Sequence, residues 1–256
     1  MSGRLNFERT PGNPPELPEL DLESLAKLYA RVFAGEPWNE FVVCPTNGTF
    51  FGTDTKPDVV CPEADCGAIL QPVYPLEETK GYIAGELARP DATLLLLRDA
   101  ERDGEIVGFS WGFSYDGPGA LADAKYKTSA MQIAISGLLR EFDLGANGLW
   151  YLSESGIEND PRYRGKGISR EFHTRRLETA RTLGLDAIQR TSAYGNMYRT
   201  SKRTMTQIMG VETAPDTVSG ELRPTGVIVN RLEDSEIEGR VLFAKSLPAN
   251  DAAAWS

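Results

Sequence analysis

Apolar residues recur along the chain in two rhythms, and the changes between them predict the elements. Leu5 to Arg9 alternates as a first strand would, and Pro11, Pro14, Pro15 and Pro18 then form a stiff connector. Asp21 is placed to cap a helix in which Leu22, Leu25, Leu28, Tyr29, Val32 and Phe33 share one face, with Gly35 and Pro37 as its stop. Pro75 and the pair Glu77-Glu78 open a second helix reaching about Leu87. Two apolar runs follow, Ala92 to Arg98 and Glu105 to Tyr115, joined through Asp103-Gly104 as a hairpin. Gly117 to about Asp123 reads as a loop, and Tyr126 to Phe142 as a helix with Met131, Ile135, Leu138 and Leu139 inward.

The second half repeats a strand–helix alternation. Leu149 to about Glu158 is a strand, Gly167 to Leu183 a helix closed by Gly184, and Leu185 to Ser192 a strand. Asn196 to Met209 reads as a helix closed by Gly210, and Gly226 to Leu232 and Arg240 to Leu247 as two final strands before a frayed tail. The order β-α-α-β-β-α-β-α-β-α-β-β defines an α/β fold, read as one domain over 1–256. Residues 41–75 stand apart as a loop-rich insertion, holding Cys44, Cys61 and Cys66 together with five prolines.

Composition narrows the class. The formal charge of −10 argues against a protein that coats nucleic acid. No apolar run approaches the roughly 20 residues of a membrane span, and the N-terminus lacks the apolar stretch of a secretion signal, so no membrane partner and a cytoplasmic location are expected. From Arg162 to Val211, eleven Lys and Arg residues stand against three acidic ones, a net +8 that leaves −18 for the remainder. Such a basic stretch is either a local anion site or a solvated helix face. An odd cysteine count without a secretion signal speaks against a disulfide scaffold.

One segment bears on the first alternative. Arg162-Tyr163-Arg164-Gly165-Lys166-Gly167 links the predicted strand at 149 to the predicted helix at 167. Two glycines allow close backbone approach to a ligand, and the first helical turn leaves N–H groups without partners. At the positive end of a helix dipole, such a nest binds phosphate. No Gly-Lys-Ser/Thr ending is present, which disfavours a Walker-type nucleotide loop.

The run Asp160-Pro161-Arg162-Tyr163-Arg164-Gly165-Lys166-Gly167-Ile168 resembles the acyl-CoA signature of the GNAT superfamily of N-acetyltransferases. The resemblance implies a mixed, mostly antiparallel central sheet flanked by helices, with splayed strands forming an acyl-CoA cleft. It implies acetyl-CoA as co-substrate and a primary amine, small or peptidic, attacking the thioester directly. Arg162 and the backbone from Arg164 through Gly165, Lys166, Gly167, Ile168 and Ser169 would hold the pyrophosphate, Ile157, Glu158 and Asn159 the pantetheine arm, and Asn196 would add a coenzyme contact. A homodimer is compatible with this reading. The alternative is a non-catalytic acyl-CoA-binding or protein-interaction module on the same fold.

The chemistry also needs proton carriers. Glu154 and Glu158 lie four apart on the strand that feeds the loop and share a face if that strand is regular. The family's general-acid tyrosine would fall at Thr206, counted back from Gly210, so Tyr194 or Tyr198 would have to substitute for it. His173, the sole histidine, reads as a packing or surface residue. Cys44-Pro45 and Cys61-Pro62 through Cys66-Gly67 are similar to the turns of a zinc ribbon one thiolate short, Asn47 standing where the fourth would be. Metal ligation by Cys44, Cys61 and Cys66 in a structural zinc site, completed by Asp54, Asp58 or Asp65, and a ribbon that has lost its metal, are both open readings, the second favoured.

Overall fold

A computed structural model describes residues 5–10, 12, 14–35, 38–192, 195–210 and 240–247, with backbone alone at 192, 195–198, 206–210 and 240. The chain divides into two compact units, 1–110 with 155–166, and 111–154 with 167–256. In the first unit, β1 (Leu5–Arg9) pairs antiparallel with β5 (Thr93–Asp99), from Leu5 opposite Asp99 to Arg9 opposite Leu95. β6 (Glu105–Tyr115) and the end of β7 (Leu149–Ile157) extend the order to β1-β5-β6-β7. Helix α1 (Glu19–Ala34) packs on α2 (Leu76–Leu87), burying Leu25, Leu28, Tyr29 and Phe33 at the spacing that predicted it.

Pro18, not Asp21, precedes the first turn of α1, and no side chain caps it. Asp21 instead takes a 2.7 Å bond from Arg98, whose guanidinium also reaches Glu8 at 2.8 Å and so ties α1 to the β1–β5 ribbon. The 41–75 insertion forms a three-stranded antiparallel sheet in the order β3-β2-β4, from Val42–Val43 (β2), Phe50–Phe51 (β3) and Gln71–Pro72 (β4).

In the second unit the strand order is β7-β8-β10-β9, with β8 at Asp186–Ser192, β9 at Thr206–Gly210 and β10 at Arg240–Lys245. β7 and β8 run parallel, whereas β10 is antiparallel to both β8 and β9. Mixed and mostly antiparallel, this is the architecture the resemblance implied. Trp150, Leu152, Leu177, Ala180, Ala187, Met205, Val241, Phe243 and Leu247 form its core.

Three assignments change. The expected loop at 117–123 is helix α3 (Pro118–Lys125), begun by a proline at its first position and sustained by alanine and leucine. The following helix, α4, is confined to Ser129–Glu141, capped by Thr128. After α5 (Ile168–Leu183), the helix expected over 196–209 is α6 (Gly195–Thr204) followed at once by β9. Apolar residues at 205, 208 and 209 fit a helical face, but so short a run is decided by the open edge of β10, with which Thr206–Gly210 pairs. The predicted strand 226–232 lies outside the described residues. No helix of the described residues is long and apolar enough to cross a membrane.

Candidate active site

β7 and β8 pair for only three residues, Leu149 with Asp186, Trp150 with Ala187 and Tyr151 with Ile188. Beyond Tyr151 the two strands have no further register, while β8 continues paired to β10 as far as Ser192. This parting corresponds to the splay the resemblance implied. It leaves the β8-side edge of β7 without a described partner strand just where Glu154 sits. Asp186 anchors the closed end, accepting the N–H of Gly145 at 2.8 Å and that of Leu247 at 3.1 Å.

Glu154 is half-buried, and by the pleat's alternation it shares a face of β7 with Trp150 and Leu152 of the core. Burial pushes the Arg176 guanidinium down to about 10, and the charge of Glu154 opposes that shift. The Tyr151 phenol is held well above its ordinary range by burial and then by Glu154. Cations line the same region. Lys125 Nζ lies 4.5 Å from the Tyr151 ring centroid, and the Arg190 guanidinium 5.2 Å from that of Tyr126.

Glu158 is placed differently. Its carboxylate is hydrogen-bonded by Arg102 and lies 3.6 Å from Arg31, and its N–H binds Val107 O at 2.9 Å. By the pleat's alternation, the main chain of neighbouring Ile157 turns to the opposite edge. Gly156 between them is a contact glycine. A Cβ there would stand 2.5 Å from the Phe109 ring and 2.9 Å from Val32.

The basic turn is built from the bottom by Asp160 and Tyr163. Asp160 accepts the Arg162 N–H at 2.8 Å and its guanidinium at 2.7 Å, and those bonds hold its carboxyl down at about 2. Tyr163 is buried and donates to Asp99 at 2.7 Å, fixing the turn to the end of β5. Arg164 reaches Asn159 at 2.7 Å. Gly165 and Gly167 both adopt left-handed backbone, φ +70° and +74°, which other residues reach only under strain.

Gly167 opens α5 without a side-chain cap. Among described residues, the N–H groups from Gly165 to Arg170 have no backbone acceptor, the first such bond being Glu171 N–H to Gly167 O at 3.0 Å. Open space surrounds the position of a Cβ on Gly165. Lys166 and Arg170 are exposed, and no ion pair holds either among the described residues. An N–H nest with cations beside it has the chemistry to receive an anion. Ile168 is buried and Ser169 partly so, which seats the first turn of α5.

His173 is fully buried, as a packing residue would be. Thr204 donates its hydroxyl to Thr200 O at 2.9 Å, so at 2.7 Å it receives the His173 Nε2–H. Burial, with Arg176 and Lys245 adding to it, pushes the imidazole down to about 3. Arg176 was missed as an inward residue, although it falls on the 172, 173, 176, 177, 180 spacing of the buried face of α5. Asn196 and Tyr198 lie on α6, their side chains outside the described residues, as is Tyr194. Thr206 stands on β9, and Gly210 ends that strand rather than a helix, so the count that matched Thr206 to a helix-borne tyrosine does not apply.

Cys44, Cys61 and Cys66 come together in the insertion. Their sulfurs lie within 4.8 Å of one another, and none is in a disulfide.

Solved structures share this fold. A polyamine N-acetyltransferase of Drosophila melanogaster, described as catalysing formation of N-acetylagmatine, aligns over 94% of this chain and 100% of its own, at 13% identity and a TM-score of 0.50. Arylalkylamine N-acetyltransferase 2 from Aedes aegypti aligns over 95% and 99%, at 13% identity and 0.49. An agmatine N-acetyltransferase in its apo form aligns over 94% and 98%, at 14% and 0.48. No protein-family model and no curated protein sequence matches the chain. At these identities the likeness bears on the fold, and the first comparison carries it. The chain has the fold of the GNAT superfamily of N-acetyltransferases.

Proposed function

We propose that this chain is an acyl-CoA-dependent N-acetyltransferase, a single catalytic domain over 1–256 carrying the 41–75 insertion. The observation behind the reading is the parting of β7 from β8 after Tyr151 on a strand that leads to a turn of unpartnered N–H groups. Acetyl-CoA would lay its pyrophosphate on the backbone from Arg164 to Ser169. Lys166 and Arg170 would supply the charge that the other basic residues of the turn spend on Asp160 and Asn159. The pantetheine would occupy the edge of β7 that β8 leaves, pairing near Ile157.

A neutral amine then attacks the thioester carbonyl. The C–N bond forms, the C–S bond breaks, coenzyme A leaves as thiolate, and the ammonium proton passes to a carboxylate. Glu154 is the acceptor we assign, because it stands on β7 just beyond the last residue paired with β8, whereas Glu158 is engaged by Arg102 and Arg31. Tyr198, carried on α6, would return a proton to the thiolate, and Asn196 would contact the coenzyme. The proximity of Arg176 to Glu154 favours the second reading, a binding module, only if that carboxylate is wholly occupied as a counter-ion.

The test is release of free thiol from acetyl-CoA in the presence of a panel of primary amines and lysine peptides. Amine-dependent release that falls at least about 100-fold in Glu154→Gln supports the assignment. Binding of acetyl-CoA without turnover of any amine would leave the module.

A further inference from the structure

The acetyl-transfer reading gives no role to the three thiols of the insertion, and their surroundings point to one. Two Cys-Pro turns, each ending in a left-handed glycine, present them. In the first, Gly48 N–H returns to Cys44 O at 2.9 Å and Gly48 takes a left-handed φ of +73°. Main-chain N–H groups of Asn47 and Thr46 point at the Cys44 sulfur. In the second, Cys66 N–H returns to Glu63 O at 3.3 Å, Gly67 is left-handed at +62°, and the Glu63 N–H points at the Cys61 sulfur. Cys61 N–H to Ala68 O at 2.7 Å and the Val60–Ile69 bridge close the second turn.

Distances decide among the uses of three thiols. A tetrahedral zinc with Zn–S bonds near 2.3 Å requires sulfurs about 3.8 Å apart. The Cys44 and Cys66 sulfurs are 3.3 Å apart and all three fall within 4.8 Å, which brackets that spacing. A disulfide would engage two sulfurs and leave the third buried with its N–H donors aimed at it. The local core is also small. Val42, Cys44, Cys61 and Leu70 are its buried members, under strands of two residues each. A segment with so little apolar burial gains order from a bound metal.

The fourth ligand is the informative part. Asn47 precedes Gly48 as Cys66 precedes Gly67, so in the sequence pattern it stands where a fourth thiolate would. Its side chain is exposed and its amide oxygen accepts the Thr49 N–H at 3.0 Å. We propose that Cys44, Cys61 and Cys66 bind one zinc ion as thiolates, with the fourth position open to solvent on the Asn47 side. Loading releases the thiol protons to solvent, and no redox step is involved.

The experiment uses the full chain, reduced and chelator-treated, titrated with Co2+ as a spectroscopic probe. The expected result is the absorption of a tetrahedral thiolate site saturating at one Co2+ per chain, displaced by Zn2+, with a zinc-dependent rise in Tm. Cys66→Ser, at the half-exposed ligand, should weaken binding by about 10–100-fold or more, and Asn47→Cys, which adds the fourth thiolate, should tighten it by a similar factor. No thiolate–Co2+ absorption in folded protein overturns the proposal. So does a Cys44–Cys66 disulfide in protein purified with zinc present, or an Asn47→Cys chain that binds no more tightly than the parent.

Discussion

His173 is the chain's only histidine, so between about pH 5 and 7.5 acid sensitivity of the fold rests mainly on one group. The imidazole donates through Nε2 to Thr204, and its Nδ1 is buried without a hydrogen bond among the described residues. Protonating Nδ1 would place an unpaired N–H cation beside Arg176, with Lys245 also bearing on it. The folded pKa is therefore depressed to about 3, against about 6.5 in the unfolded chain. A depressed histidine is neutral in the fold and takes up its proton on unfolding, so stability is lost as pH falls below the unfolded value.

The loss at pH 5 is about 2 kcal/mol relative to pH 7.5, rising toward roughly 4–5 kcal/mol below pH 3. Asp99 and Asp160, whose carboxyls are lowered, contribute stability that is lost only as pH falls below the unfolded carboxylate range toward their folded values, outside this window. Urea unfolding followed by tryptophan fluorescence at the two pH values measures the difference. Wild type should lose about 2 kcal/mol, and His173→Gln, which keeps a donor for Thr204, should lose almost none of it. Equal losses in the two proteins would refute the buried neutral imidazole.

Three further outcomes follow from the same geometry. Gly156→Ala puts a methyl 2.5 Å from the Phe109 ring, and thermal melting should report a loss of about 1–3 kcal/mol. Tyr163→Phe leaves Asp99 without its 2.7 Å donor and should cost about 1–3 kcal/mol by urea unfolding, loosening the basic turn. Arg176→Met removes a buried cation facing Glu154; if the two are coupled, the pH profile of turnover should shift in Arg176→Met while the Glu154→Gln background shows no further shift.

The strands and α5 were legible because their periods are long and regular. Leu94, Leu95, Leu96 and Leu97 announce a buried strand, and Phe172, Leu177 and Ala180 a helix face. The Gly-x-Gly turn was legible because its chemistry is local to six residues. What the sequence concealed is non-local. Nothing in the order of residues joins Tyr163 to Asp99, or Glu158 to Arg102 and Arg31, yet the first pairing fixes the basic turn and the second engages one candidate carboxylate. The end of α6 was misplaced because Thr206–Gly210 takes its conformation from β10, thirty residues further along the chain. The turns around Cys44 and Cys61 could be read from Cys-Pro and Gly, but their convergence could not.

The central claim is that the turn from Arg164 to Ser169 holds the pyrophosphate of acetyl-CoA. Titration calorimetry of acetyl-CoA against wild type, Gly165→Asp and Gly167→Asp tests it directly. Both positions are left-handed, so a side chain at either adds backbone strain; at Gly165 open space lies where the Cβ would point, and the added carboxylate would oppose phosphate across the same N–H groups. The account predicts micromolar binding by wild type and its loss in both variants, with their thermal melting giving a folded transition. Wild-type binding that survives in a folded Gly165→Asp protein would contradict it, as would no binding by wild type at all.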